Sequence, residues 1–262
     1  TRSVDAQLII IPDNYENWLP EPGRDEYTKG STMKITLKLQ GMNGRPLNIK
    51  SKGFELKLVN TSKEPGITIN YPVVPVADLP DIRFLPLPNL AVIGEMQSMQ
   101  INCDNCLTAN VTLAAFDGGG YTTLTADAIL EGDIRIHGSL LVPGGEIEIP
   151  IPKRDPAKFI AKKWANQYGN INDQDDVDYS TGNSNDGDGL SAYEEYRGVI
   201  SRGKFKRLDP EHKEVGVFVK RGQFPVFAEG IGLFKRATFI DTVVFIENEI
   251  GPDRRLNNNA ST

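Results

Sequence analysis

The chain of 262 residues carries a net charge of −6 at pH 7, with 39% hydrophobic and 24% charged residues. This composition is ordinary for a globular protein, and the length allows two domains with separate cores. The longest aliphatic run, Leu8 to Ile11, is far shorter than the roughly 18 apolar residues of a membrane-spanning helix. The acidic balance argues against nucleic acid as the main partner. We therefore expect neither a membrane-spanning segment nor a nucleic-acid partner.

The first predicted element is a strand from Ala6 to Pro12 that is apolar on both faces. This strand can be buried in the protein's own sheet, or it can be donated to the sheet edge of a neighbouring subunit. We favour the first placement and keep the second as a route to a homo-oligomer or fibre through β-strand addition. The chain opens at Thr1 without an initiator Met, as a processed secreted protein or a recombinantly produced segment would.

Residues 1–150 carry the alternating pattern of half-buried β-strands, separated by turn signals such as Pro143-Gly144-Gly145. Short strands with regular turns and no convincing helix predict an immunoglobulin-like β-sandwich. The Pro-rich segment from Tyr71 to Leu90 is expected to be a crossover or an edge loop, because proline cannot donate a hydrogen bond inside a sheet. The predicted strands run from Met33 to Leu39, Phe54 to Val59, Asn110 to Phe116, Thr122 to Ala128 and Glu146 to Pro150.

The two cysteines, Cys103 and Cys106, lie in the sequence Asn-Cys-Asp-Asn-Cys. A thioredoxin-like redox motif would precede a helix, whereas a strand pattern follows here. A zinc site needs four ligands, and neither a second Cys-x-x-Cys nor a pair of histidines accompanies this one. The favoured interpretation is a disulfide that closes a β-turn. Such a bond requires an oxidising compartment, so we expect a secreted or cell-surface protein.

The pattern becomes helical after Pro152. Asp155 followed by Pro156 is a typical helix start, and an apolar face with helical spacing continues past Trp164. Gly169 is the expected end of this first helix.

A second, short helix is predicted to begin at Ser191, where Glu194 completes a capping box, and to end at Gly198. Tyr193 and Tyr196 lie three residues apart on one face of this helix. We expect both rings to pack on the first helix.

Between the two helices, an acidic loop ends in a pattern that matches a calcium-binding loop of twelve positions. Such a loop places oxygen ligands at positions 1, 3 and 5, a backbone carbonyl at position 7 and a bidentate Glu at position 12, with Gly at position 6. Gly189 at position 6 sets the register. The expected Ca²⁺ ligands are then Ser184, Asp186, Asp188, the carbonyl group of Leu190 and Glu195.

Position 1 departs from the usual pattern, because Ser184 offers a hydroxyl where a carboxylate is expected. The missing oxygen can come from Asn183 or Asn185, or from Asp176 and Asp178 upstream. Fewer carboxylates weaken binding and predict a dissociation constant of about 10⁻⁴–10⁻³ M, as in extracellular modules. The alternative is a solvated Asp/Gly-rich turn without a metal ion.

A basic stretch follows the acidic loop. We interpret it as a solvated segment rather than one that folds back onto the acidic residues. Its members are Arg197, Arg202, Lys204, Lys206 and Arg207.

Beyond this stretch the sequence predicts a strand, a helix and a strand, from Glu214 to Val219, Glu229 to Ala237 and Phe239 to Glu247. The last strand is a nearly continuous apolar run, which is typical of a buried parallel strand. The polar tail from Arg254 is expected to be disordered. The predicted domains are therefore a β-sandwich over 1–150, a calcium-binding helix-loop-helix over 151–199 and a small α/β segment with a flexible tail over 200–262.

The segment from Asp186 to Gly198, Asp-Gly-Asp-Gly-Leu-Ser-Ala-Tyr-Glu-Glu-Tyr-Arg-Gly, resembles segments of bacterial and archaeal secreted proteins with thrombospondin type 3-like or EF-hand-like calcium repeats. The flanks from Ile151 to Pro156 and from Arg207 to Val215 are similar to those in large extracellular proteins of this kind. The resemblance implies Ca²⁺ as the cofactor and an extracellular location. Relatives often carry Asp where this chain has Lys162, so the resemblance does not extend to a second calcium site in the first helix.

The leading functional hypothesis is a non-enzymatic, extracellular structural or adhesive protein, such as a subunit of a surface assembly or filament. The alternative is the non-catalytic N-terminal portion of a secreted, peptidase-like hydrolase, because some proteins with such motifs continue into zinc-peptidase-like domains. A self-contained hydrolase is the weakest hypothesis. The chain has no His-Glu-x-x-His or Gly-x-Ser-x-Gly motif, and neither His137 nor His212 lies beside a nucleophile in the sequence.

Overall fold

A computed structural model describes residues 5–42, 45–47, 49–75, 78–86, 91–93, 95–178, 186–257 and 259. Over these residues the protein is mainly β, with one large mixed sheet, two small sheets and three α-helices. The predicted mainly β class is therefore confirmed. No helix within the described ranges is long and apolar enough to span a membrane.

The large sheet contains ten strands in the order β4-β7-β2-β1-β9-β8-β3-β6-β5, with β10 paired to β8. These strands are β1 (Ala6–Pro12), β2 (Thr32–Gly41), β3 (Ser51–Val59), β4 (Ile82–Phe84), β5 (Ala91–Ile93), β6 (Ser98–Asn102), β7 (Thr108–Ala115), β8 (Thr122–Leu130), β9 (Arg135–Leu140) and β10 (Ile149–Ile151). All five strands predicted between Met33 and Pro150 are present. The alternation that predicted them is an alternation of burial, since every second side chain of β8 is buried.

Strand β9 joins the two halves of this sheet. Its first half pairs antiparallel with β8, and its second half pairs parallel with β1. The halves face one another across a single core, which contains Ile35 and Leu37 from one half and Phe54 and Leu124 from the other. This arrangement is a β-sandwich.

The N-terminal strand β1 lies inside the protein's own sheet. It pairs antiparallel with β2 over its whole length and parallel with β9 at Leu8 to Ile10. The structure therefore has the favoured placement of β1 in the protein's own sheet, and donation of this strand to a neighbouring subunit is not needed to pair it. Oligomerisation through strand addition remains a prediction that concerns the outer strands β4 and β5.

Strands β4, β5, β6 and β9 were not predicted from the sequence. Strand β4 lies within the Pro-rich segment and pairs with β7 at the edge of the sheet, where proline neighbours are tolerated. After β6, the Cα atoms of Cys103 and Cys106 lie 5.9 Å apart, a separation that allows the predicted disulfide.

The first helix is much shorter than predicted. Helix α1 is Lys162–Ala165, followed by a 3₁₀ turn that ends at Gly169 in a left-handed conformation. The expected start at Asp155 and Pro156 is wrong. The Asp173 carboxylate accepts the N–H group of Phe159 at 2.7 Å, which holds the backbone before α1 in a non-helical path.

The second helix follows the prediction. Helix α2 is Ala192–Arg197, and the Ser191 hydroxyl and the Glu194 carboxylate form the reciprocal capping box. The Tyr196 ring packs on Trp164 with ring centroids 5.3 Å apart, whereas Tyr193 meets Phe159 at 6.0 Å. The expected packing on the first helix is thus confirmed for Tyr196.

The chain continues into a hairpin of β11 (Val199–Ser201) and β12 (Lys204–Lys206) and then into β13 (Glu214–Phe218), α3 (Phe224–Thr238) and β14 (Asp241–Phe245). Strands β13 and β14 pair in parallel, which confirms the predicted strand-helix-strand order. One apolar cluster joins this unit to the rest of the protein. It contains Ile69, Leu190, Val199, Leu208, Val243 and Phe245.

The tail does not fit the expectation of disorder at Asn259. This residue is 1% exposed, and its side-chain amide donates hydrogen bonds to the carbonyl groups of Thr68 and Pro72. A buried amide that satisfies two carbonyl groups anchors the tail to the segment that precedes β4.

The basic stretch is not a uniformly solvated segment, and that interpretation is wrong for Arg197 and Arg207. Arg197 is 1% exposed, and its Nη2 atom lies 2.8 Å from Oδ2 of Asp117. The Arg207 guanidinium lies over the Tyr196 ring at 4.4 Å and donates a hydrogen bond to the Pro20 carbonyl group. Among the described residues, the two side chains donate hydrogen bonds to Asp117, Pro65, Asn259, Pro20 and Gly118, all outside the acidic loop.

Candidate metal centre

The acidic loop connects the 3₁₀ turn after α1 to the start of α2. An isolated antiparallel bridge between Val177 and Asp186 brings the two arms of the loop together. Residues 179–185 lie outside the described residues, and with them the predicted ligand Ser184.

The loop brings three of the predicted ligands into one group. Asp176, Asp178 and Asp188 each place one carboxylate oxygen within 4.8 Å of the others. Asp178 is 3% exposed, and its Oδ2 atom has no hydrogen-bond partner within the described ranges. A buried carboxylate oxygen without a partner is costly and therefore points to a missing cation or donor.

A second group of carboxylates lies beside the first and shares Asp188 with it. Its other members are Glu195, from α2, and Glu214, the first residue of β13, again with one oxygen each within 4.8 Å. Glu195 is 2% exposed and Glu214 is 8% exposed. Glu214 was not predicted as a site residue.

Backbone N–H groups orient the carboxylates. In Asp188, Oδ1 accepts from the N–H group of Leu190 at 3.0 Å, and Oδ2 accepts from that of Glu214 at 2.8 Å. Oδ1 of Asp176 accepts from the N–H group of Gly189 at 3.3 Å. Each of these oxygens keeps a further lone pair that a cation can use.

The two glycines of the Asp-Gly-Asp-Gly sequence have different roles. A Cβ atom on Gly187 would lie 1.7 Å from Oδ1 of Asp176, so only glycine allows the two arms of the loop to approach so closely. Gly189 has a φ of +95°, a backbone conformation that residues with a side chain rarely adopt.

The electrostatics of the site favour protonation of its carboxylates when no metal ion is present. Burial raises the pKa of Glu195 to about 10 and that of Glu214 to about 8, and nearby carboxylates add to both shifts. Burial likewise raises the pKa of Asp178 to about 6, although Lys213 opposes this shift. A divalent cation would offset the cost of burying ionised carboxylates, because it favours the ionised form of every carboxylate that it contacts.

One other predicted ligand, Asp186, does not join either group, because it is exposed and takes part in the bridge with Val177. The carbonyl group of Leu190 stays a prediction, since both groups consist of side chains; the Leu190 side chain is buried in the apolar cluster with Val199 and Phe245. The structure therefore brings together Asp176, Asp178, Asp188 and Glu195 and adds Glu214 to them.

The described donor set suits a hard cation. All five grouped side chains offer carboxylate oxygens, and Ca²⁺ takes six to eight oxygen ligands at 2.3–2.6 Å. Backbone carbonyl groups or water would complete such a coordination shell. Soft or borderline metal ions, by contrast, prefer nitrogen and sulfur ligands.

No protein-family model matches the chain, and no curated protein is similar to it in sequence. Two solved structures show a limited likeness. The reeler domain of human F-spondin is 13% identical, with 56% of this chain and 90% of that chain covered and a TM-score of 0.30. The DNA-binding domain of C. elegans Cep-1, an ortholog of human p53, is 8% identical, with coverages of 50% and 87% and a TM-score of 0.30. Similarity at this level carries no argument about this chain.

Proposed function

We propose that this is an extracellular, non-enzymatic calcium-binding protein with a structural or adhesive role. In this proposal, Ca²⁺ binds the acidic loop and holds it against the β-sandwich and the C-terminal unit. The proposal includes an immunoglobulin-like sandwich, an EF-hand-like helix-loop-helix and location in the secreted fraction or at the cell surface.

The observation that carries the proposal is the buried, unpartnered Oδ2 atom of Asp178 within a group of three carboxylates. The glycines of the loop support it, since Gly187 permits the close approach of Asp176 that forms the group. In the proposed site, Asp176, Asp178 and Asp188 hold the ion, and Glu195 lies beside them as the loop pattern predicts.

A structural role is supported by the apolar contacts that the loop makes with the sandwich and the C-terminal unit. Leu190, directly after the loop, packs with Ile69 of the sandwich segment and with Phe245 of β14. An ion that fixes the loop would therefore also fix the junction between the sandwich and the C-terminal unit. In such modules, metal binding adds directly to folding free energy.

Thermal unfolding in millimolar Ca²⁺ and in EGTA tests the proposal. At about 10 mM Ca²⁺, which is roughly 10 to 100 times the expected Kd, one bound ion should add about 1.4–2.7 kcal/mol to the unfolding free energy. Asp188→Asn should lose this gain, whereas Glu211→Gln, a nearby acid outside both groups, should keep it. An identical melting temperature of the wild type in both buffers would sink the proposal.

Light scattering on the same samples tests the assembly role. Calcium-dependent growth in size that Asp188→Asn abolishes would identify a calcium-gated subunit. A calcium-stabilised monomer would instead identify a rigid spacer and remove the filament part of the proposal.

One observation favours the alternative, a portion of a secreted hydrolase. Helix α3 has no buried residue, and its apolar side chains Phe227 and Phe234 help to line a cavity of about 420 Å³ next to β13. Val243 and Phe245 of β14 are buried, so the exposed apolar surface of this unit lies on α3. Catalytic motifs encoded directly after Thr262 would favour this alternative, and a stop codon there would rule it out.

A further inference from the structure

We propose that Asp188, Glu195 and Glu214 form a second Ca²⁺ site next to the Asp176–Asp178–Asp188 site and share Asp188 with it. This inference rests on the proposed calcium function and deepens it. Its new element is Glu214, a ligand that belongs to β13 and lies outside the loop sequence.

The spacing of the oxygens indicates two ions. With Ca–O distances of 2.3–2.6 Å, two ligands of one ion lie at most about 5.2 Å apart. Each group of three meets this limit, because its oxygens lie within 4.8 Å of one another. The five carboxylates fall into two such groups and do not form one group of five, so two ions bridged by Asp188 fit the arrangement.

An independent observation indicates that the Glu214 carboxylate can bind a cation. Its Oε1 atom accepts the N–H group of Asp209 at 3.1 Å, but its Oε2 atom is buried and has no hydrogen-bond partner in the described part of the chain. An ion held with Asp188 and Glu195 would supply the missing partner of Oε2.

The backbone around Glu214 is already bound to the loop and to α2. The Glu214 N–H group donates to Oδ2 of Asp188 at 2.8 Å, and the Leu208 N–H group donates to the Glu195 carbonyl group at 3.0 Å. These contacts place the Glu214 side chain before any ion binds, so the ligands need little rearrangement. The second ion would therefore link the calcium loop directly to β13.

Glu214 also gives the second site a distinct consequence. Strand β13 pairs only with β14 among the described strands, in a two-stranded parallel sheet. Two strands are marginal by themselves, so the unit depends on its attachment to the rest of the protein. An ion between Glu195 and Glu214 would strengthen this attachment.

Equilibrium dialysis of the full chain against ⁴⁵Ca²⁺, at protein concentrations near Kd, tests the inference. We expect two ions per wild-type chain and one ion per Glu214→Gln chain. Asp176→Asn, in the first site, should also keep one ion. Glu211→Gln, three residues from Glu214 and outside both groups, should keep two.

Hydrogen exchange separates the two single-site variants. Ca²⁺ should slow exchange at the Asp209 and Glu214 N–H groups at least tenfold in the wild type and in Asp176→Asn, but not in Glu214→Gln. Equal Ca²⁺ protection in Glu214→Gln and in the wild type would overturn the inference.

Circular dichroism shows whether Glu214→Gln folds. If it does not, the number of ions bound per wild-type chain still decides the inference. Two ions per wild-type chain support the second site. One ion overturns it and leaves the proposed function standing, and no bound ion overturns both.

Discussion

Two clusters of buried acidic side chains in the described part of the chain differ in how their charge is balanced. Near the sandwich, Asp117 is fully buried against Arg197, which donates to both of its carboxylate oxygens. In the acidic loop, the carboxylates around Asp188 and Glu195 have no arginine among their hydrogen-bond partners in the described residues. Arg197 pairs directly with the first cluster, whereas the buried Lys213 near the second cluster offsets the burial of Asp178 and Asp188 only in part, since the pKa of both carboxyls stays raised.

This difference appears in the unpaired atoms of the two clusters. Asp117 also accepts the N–H group of Gly119 at 2.7 Å, and neither of its oxygens is left without a partner. Asp178 and Glu214 of the loop each leave one buried oxygen without a partner in the described ranges. A chain can bury carboxylates stably when its own cation reaches them, and otherwise the cation has to come from solution.

The largest expected effect concerns the internal cation. Replacement of Arg197 by Met should lower the unfolding free energy by roughly 3–5 kcal/mol, because it leaves Asp117 buried without its partner. Urea unfolding in millimolar Ca²⁺ and in EGTA measures this loss, which should be the same in both buffers.

Lys204→Met is the matched control, because Lys204 is an exposed cation on the neighbouring strand β12. We expect it to change the unfolding free energy by less than about 0.5 kcal/mol. If Ca²⁺ restored the stability of Arg197→Met, the cluster around Asp117 and the cluster around Asp188 would not be balanced by separate cations.

A second, smaller effect should appear as a dependence on pH. Asp81 lies beside Asp117, and burial together with the charge of Asp117 raises the pKa of Asp81 well above that of an ordinary aspartate. The pKa of Asp117 is raised by burial to about 6, although Arg197 opposes the rise. Between pH 4 and pH 6 the folded state therefore binds more protons than the unfolded state. The unfolding free energy should fall as pH rises through this window, by up to about 1.4 kcal/mol per pH unit for each proton.

Asp81→Asn should flatten this dependence, since asparagine can replace a protonated Asp81 and does not titrate. The N–H group of Glu64 donates to Oδ2 of Asp81 at 3.0 Å, and the amide oxygen of asparagine can accept the same bond. Urea unfolding from pH 4 to pH 7 in saturating Ca²⁺ measures the slope. The same slope in both proteins would show that Asp81 does not hold the proton.

Much of the fold was predictable because long strands of a sandwich repeat their burial every second residue. The pattern identified β2, β3, β7 and β8, whose inner faces form most of the core. Strand β9 was missed because it is half-exposed and changes partner at Gly138. The first helix was overestimated because Ile160 and Ala161 are buried without being helical, which periodicity alone does not reveal.

The grouping of side chains in the acidic loop was predictable for the residues that the local sequence pattern contains. Asp188 and Glu195 have the spacing of positions 5 and 12, and the structure places them in one group. Glu214 was missed because it reads as the first residue of a strand and reaches the site only through the fold. The same limit applies to Arg197, whose partner Asp117 belongs to a distant turn.

Asp186 is the residue at which the sequence pattern and the structure disagree most directly. The pattern assigns it to position 3, whereas the structure leaves it exposed and outside both groups of carboxylates. We therefore expect Asp186→Asn to change the calcium dissociation constant less than about threefold, which is less than about 0.7 kcal/mol. Asp176→Asn, which removes a grouped carboxylate, should weaken binding at the first site at least tenfold, as measured by calcium titration. If Asp186→Asn weakened binding as much as Asp176→Asn, Asp186 would be a ligand at position 3 of the loop, as the sequence pattern predicts. The two groups of carboxylates would then not describe the calcium-bound protein.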